Sequence, residues 1–98
     1  MPKRSPLSDV DVARALEGLP GWRHSDNRLK KTFRFSNFRE AVSFIVRMSY
    51  EAEAADHHPE LRNVYHTVDI ALTTHDAGDR VTQMDVNLAS AIERFSWL

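Results

Sequence analysis

The 98-residue sequence contains no cysteine, which excludes disulfides, thiolate metal sites and cysteine nucleophiles together; a small fold without disulfides needs no oxidising compartment. Glycine is scarce as well, with three residues and none clustered, so there is no glycine-rich loop to cradle a phosphate. No Gly-x-Ser-x-Gly element occurs, and the nucleophile elbow of a serine hydrolase is therefore missing. Charge of one sign is lacking too. Thirteen Lys and Arg against fourteen Asp and Glu give a net charge of −1, which removes the electrostatic basis for coating a polyanion and argues against direct nucleic-acid binding. No uncharged run approaches the roughly 18 apolar residues of a membrane span. Lys3-Arg4 lead into Ser5-Pro6-Leu7-Ser8-Asp9 and not into an apolar signal segment. The expectation is a cytoplasmic, unprocessed protein with no membrane partner.

Hydrophobic residues make up 42% of the chain, enough for one core and too few for two. Residues 1–7 read as a flexible lead-in and 8–98 as a single domain. Ser8 is placed to cap a helix over Asp9 to Glu17, closed by Gly18 and Pro20-Gly21. From Trp22 the period becomes two: Leu29, Lys31, Phe33 and Phe35 share one face, with Asp26-Asn27 as the turn between antiparallel strands. Ser36-Asn37 offers a second cap. Phe38, Ala41, Val42, Ile45, Met48, Ser49 and Ala52 then recur at helical spacing as far as about Ala55. With Phe44, that stripe is broader than one sheet face needs, and it predicts a homodimer or homotetramer with this helix as the main contact. His57-His58-Pro59 ends the helix. Val64, Val68, Ile70 and Leu72 read as a buried strand face, with Tyr65, Thr67, Asp69, Ala71, Thr73 and His75 opposite. Asp76-Ala77-Gly78-Asp79 is a turn, and Arg80-Val81 at most a short edge strand. Thr82 with Asp85 forms a capping box for a last helix, whose inner face is Leu88, Ala91, Ile92 and Phe95. The order α-β-β-α-β-β-α predicts an α+β fold.

Three of the five histidines, His57, His58 and His75, bracket one corner of this arrangement, at a helix end and a strand end. An imidazole gives or takes a proton near neutrality, so proton transfer is the first reading. His24 and His66 read as ordinary surface or core residues. Taken alone, Asp85 reads as the partner of Thr82 in the capping box and Glu53 as part of a solvated face. The histidines also offer a zinc set, to which Glu53, Asp56 or Asp85 adds a carboxylate. Consecutive histidines diverge, however, whereas helical zinc pairs use a three- or four-residue step.

Glu53, His57-His58-Pro59, Tyr65, His75 and Asp85 stand at spacings that resemble the signature of the pterin-4a-carbinolamine dehydratases. Gly21-Trp22, Phe33-x-Phe35, Phe38 with Ala41 and Phe44, Leu72-Thr73-Thr74-His75 and Asn87-Leu88-Ala89 extend the likeness over roughly residues 8 to 96. The resemblance implies a four-stranded antiparallel sheet with three helices on one face. It also implies dehydration of a 4a-hydroxytetrahydropterin, the carbinolamine left by aromatic amino acid hydroxylases, to quinonoid dihydropterin plus water, with no metal and no organic cofactor. By the same resemblance His57, His58 and His75 are the active-site histidines and Glu53 and Asp56 polar pocket residues. Thr73 and Thr74 form the strand that presents backbone groups to the pterin, with Asp85 in support. His57 and His75 are expected as the acid/base pair, His58 as the orienting residue, and Glu53 and Asp56 as the carboxylates that keep the acid cationic. Animal members also serve as dimerisation cofactors of a transcription factor, so a non-catalytic binding or assembly module is the alternative. The sequence departs from the family at Leu61, where animal members carry an aromatic, at His66, where asparagine is common, and in the Asp76–Val81 loop. That loop is one residue longer and lacks a second glycine that supplies a positive φ.

Overall fold

Ser8 does what its place before an acidic turn predicts. In the computed structural model of the chain, which describes residues 5–95, its hydroxyl accepts from the Asp11 N–H at 3.1 Å and opens helix α1, Asp9–Leu16. Leu7, placed by sequence in the lead-in, donates its N–H to the Val81 carbonyl at 2.8 Å and packs against the core. Residues 1–4 of that lead-in lie outside the described residues. Strands β1, Arg23–Ser25, and β2, Arg28–Arg34, are joined at Asp26-Asn27. Both turn residues take positive φ, 55° and 60°, the conformation whose twist matches a two-residue hairpin. Asn37 caps helix α2, Phe38–Ala55, by accepting from the Glu40 N–H, and the Glu40 carboxylate answers by accepting from the Ser36 N–H. Strands β3, Glu60–Val64, and β4, Thr67–Leu72, a single 3₁₀ turn at His75–Ala77, and helix α3, Gln83–Glu93, complete the order.

The sheet is antiparallel throughout, in the order β1-β2-β4-β3, and the three helices cover one face. Alternation sends Leu29 and Phe33 of β2 and Val68, Ile70 and Leu72 of β4 into the core. There they meet Ala41, Phe44, Met48 and Ala52 of α2 and Leu88, Ala89 and Ile92 of α3. Phe44 is the hub, with ring centroids 4.8 Å from Phe33, 5.0 Å from Phe35 and 5.6 Å from Phe95. Each such burial contributes about 1.5–3 kcal/mol. On the core side of β2, Lys31 donates to Glu93, which also accepts from the Trp22 indole at 2.8 Å. That ties α3 to the chain entering the sheet.

Two details differ from the sequence reading, and a third, the Arg80-Val81 edge, stays within the limit it set. The buried line of α2 runs through Phe44, and Phe38, Val42, Val46 and Tyr50 form a second, exposed line. Tyr65-His66 is the hairpin turn between β3 and β4, so Val64 belongs to β3 and is exposed, and Tyr65 is not on the face of Thr67. The physical reason is a left-handed tyrosine, φ 51°, at a position where no glycine or asparagine announces a turn. Arg80 and Val81 form no strand; Thr74 and Arg80 make one isolated bridge.

Candidate active site

Helix α2 ends because Asp56 turns left-handed, φ 50°, ahead of a proline two residues beyond the next. The reversal lets the His57 N–H close on the Ala52 carbonyl at 3.0 Å and directs the two neighbouring imidazoles apart. His57 turns inward and is buried. Its Nε2 lies 2.5 Å from Asp85 Oδ1. His58 stays at the surface, with Nε2 2.8 Å from Glu53 Oε1.

The second wall comes from the chain beyond β4. Thr73 Oγ1 donates to the Asn27 carbonyl at 3.1 Å, which pins this segment to the β1–β2 turn. Thr74 is buried. Its N–H is taken by the Arg80 carbonyl, and its own carbonyl accepts from Ala77 and Asp79. The backbone groups that the resemblance offers to a pterin are therefore already used at Thr74, whose part in the site runs through its hydroxyl. His75 opens the 3₁₀ turn with its side chain 91% exposed. The loop closes through Gly78 and Asp79, both left-handed at φ 74° and 59°, so an aspartate supplies the positive φ for which a second glycine was expected. That conformation brings Asp79 Oδ1 to 2.9 Å from His75 Nδ1. The hydrogen bond and charge of Asp79, with a smaller contribution from Asp76, raise the His75 pKa above its ordinary value.

Asp56, His57, His58, Thr73, Thr74, His75, Asp76 and Met84 line one open cleft of about 250 Å³. The structure thus brings the three expected histidines and Asp56 together. Glu53 stands behind His58, and Asp85 lies beneath His57 with no exposure. Asp85 does complete the capping box of α3, accepting from the Thr82 N–H at 2.8 Å, and it also accepts from Thr74 Oγ1 at 2.8 Å. Asp79 was missed by sequence reasoning; its only signal was the four-residue step from His75 across Ala77-Gly78. Tyr65 does not join the cleft. It sits at the far end of β4, 78% exposed. Among the described residues no three His, Asp or Glu side chains converge as a set of metal ligands.

A larger concavity of about 480 Å³ lies on the opposite, helix-free side of the sheet, lined by Arg28, Lys30 and Arg62 among others. Its charges are mostly paired in surface ion pairs, Arg28 with Glu60, Lys30 with Asp26 and Arg62 with Asp69. It holds no histidine, so proton transfer near neutrality points to the smaller cleft.

Comparison with known proteins points the same way. The model of the family described as "Pterin 4 alpha carbinolamine dehydratase" matches residues 5–95. A protein of Opitutus terrae named "Putative pterin-4-alpha-carbinolamine dehydratase" is 50% identical over 94% of this chain and 95% of its own length. One of the same name from Picosynechococcus is 41% identical over 90% of this chain and 95% of its own. Among solved structures, the "transcriptional coactivator/pterin dehydratase" from Brucella melitensis superposes with a TM-score of 0.89 at 32% identity, covering 94% of this chain and 99% of that one.

Proposed function

The chain belongs to the pterin 4 alpha carbinolamine dehydratase family, and from that premise we propose that it is a hydro-lyase that dehydrates a 4a-hydroxytetrahydropterin to the quinonoid dihydropterin. The bond that breaks is carbon to hydroxyl. A proton must reach the departing hydroxyl, which leaves as water, and a proton must leave the neighbouring ring nitrogen as the new carbon–nitrogen double bond forms. Two imidazoles in opposite protonation states supply both. His75, held toward its cation by Asp79, is the acid. His57, backed by Asp85, is the base. His58 orients the ring, steadied by Glu53. The carboxylate that sustains the acid is then Asp79, and not Glu53 or Asp56 as the sequence led one to expect. Asp56 and Thr73 remain as polar groups on the cleft wall.

The observation that carries this reading is the convergence of a buried, carboxylate-backed histidine with two solvent-facing histidines in one cleft. It also favours an enzyme over a purely binding or assembly module, which has no need of three placed imidazoles. The test is formation of quinonoid dihydropterin in a coupled hydroxylase assay without added metal. A folded protein that neither accelerates the dehydration nor binds a pterin would sink the proposal.

A further inference from the structure

Thr74 contributes to the cleft wall, yet its hydroxyl is engaged beneath it. Thr74 Oγ1 donates to Asp85 Oδ2 at 2.8 Å and lies 2.7 Å from Thr82 Oγ1. A hydroxyl has one proton to give. Since that of Thr74 is on the carboxylate, the Thr82 hydroxyl donates to Thr74, while Thr82 Oγ1 accepts from the Met84 N–H at 3.2 Å. Asp85 Oδ2 also accepts the Thr82 N–H at 2.8 Å. Two donors from two different segments therefore fill Oδ2 and set the plane of the carboxylate, leaving Oδ1, among the described residues, for His57 alone at 2.5 Å. A carboxylate that accepts from every neighbour has no proton to lend, so the proton in this contact belongs to His57 Nε2. The other ring nitrogen, Nδ1, has no hydrogen-bond partner among the described residues. None of their buried polar side-chain atoms is left unpaired, so Nδ1 must be open, and the opening beside His57 is the cleft.

We propose that Thr74 is a positioning residue: with the Thr82 N–H it locks Asp85 in the orientation that holds His57 in its Nε2–H form, so that Nδ1 is the nitrogen that exchanges a proton with the substrate. The substrate half of this statement rests on the dehydratase reading; the tautomer half does not. The Thr82 to Thr74 to Asp85 line delivers no proton to the reaction, because every hydrogen in it is committed. Its work is orientation, the role a carboxylate plays behind a histidine base in hydrolases, here delegated one residue further back.

Two readouts test it. Long-range ¹H–¹⁵N correlation spectra of the ligand-free protein, at a pH where His57 is neutral, should show the wild-type ring protonated at Nε2. In Thr74→Val, which keeps the shape and removes the donor, both tautomers should appear; Thr74→Ser should restore the single form. In the dehydratase assay, kcat should fall roughly 10–100-fold in Thr74→Val, the scale of a misplaced catalytic group, with KM within about twofold and near-wild-type turnover in Thr74→Ser. A wild-type His57 protonated at Nδ1 overturns the proposal without any variant. A Thr74→Val protein whose His57 stays wholly in the Nε2–H form overturns it whatever its turnover. If the tautomer pattern holds in a protein with no dehydratase activity, the positioning role stands and the functional reading falls.

Discussion

Replacing Asp85 by alanine strands three donors at once: the Thr82 N–H, the Thr74 hydroxyl and His57 Nε2. Each buried donor left without an acceptor costs about 1–3 kcal/mol, which puts the gross loss at about 3–9 kcal/mol. Two effects reduce it. A carboxylate no longer has to be held out of water, and the His57 side borders an open cleft from which water can reach one donor. The expected net loss is about 3–5 kcal/mol, the usual scale when one partner of a buried charged pair is removed. That is a large share of the roughly 5–15 kcal/mol that stabilises a typical domain. Equilibrium urea unfolding at matched protein concentration measures it, and with a slope near 2 kcal/mol/M the midpoint should drop by about 2 M. Asp85→Asn is the companion variant. Its carbonyl can still accept from Thr82 and Thr74, but its amide turns an N–H toward His57 Nε2, so stability should fall less while activity falls by orders of magnitude. Cooperative unfolding of Asp85→Ala with a loss below about 1 kcal/mol would refute the claim that one carboxylate serves all three donors.

His57→Ala and His75→Ala should each lower turnover by roughly two to four orders of magnitude, with His24→Ala and His66→Ala unchanged; a tenfold loss or less in both would leave only binding roles. Because Asp79 raises the His75 pKa, Asp79→Asn removes the raising influence, and the alkaline limb of kcat/KM should move to lower pH. Glu53→Gln should leave that limb in place, since Glu53 reaches His58; a limb that follows Glu53 and ignores Asp79 would reverse the assignment. Light scattering should find a dimer or tetramer at micromolar concentration, and Val46→Glu, in the exposed line of α2, should shift it toward monomer; a wild-type monomer would reject the prediction.

The sequence was most legible where one residue's chemistry decides the local backbone. The caps at Ser8, Asn37 and Thr82 fall where their side-chain oxygens predict, and the alternation of β2 places Leu29 and Phe33 inside. It was least legible where tertiary context overrides preference. A tyrosine at positive φ carries no turn signal of its own, so the hairpin at Tyr65-His66 was hidden and Val64 was placed on the buried face. On α2, nearly every position between Phe38 and Tyr50 on two adjacent stripes is apolar, and period alone cannot choose which stripe packs under the sheet. The aromatic cluster around Phe44 decides it. At the site, the three histidines and the capping box were both visible, but nothing in the spacing says that the capping carboxylate is also the one that holds His57. That follows only once α2 and α3 pack side by side.

The central pairing of the sheet joins Leu29 to Leu72 and Arg34 to Thr67, across a stretch of chain that contains all of α2 and β3. The outer pairs close locally through two-residue turns, and the β3–β4 pair leaves residues 56–58 and 73–76 side by side at its open end, beyond Glu60 and Ala71, but neither pair contains Asp85. Residues 82–85, and with them the carboxylate that touches His57, join that end only when α3 docks. The buried contact between His57 and Asp85 is therefore completed by the docking of α3 and not by either hairpin. On the proposed reading, a chain with both hairpins formed and α3 undocked should carry the three histidines without the Asp85 contact and show no dehydratase activity. Dehydratase activity that returned during refolding before the amides of α3 were protected from hydrogen exchange would refute that order.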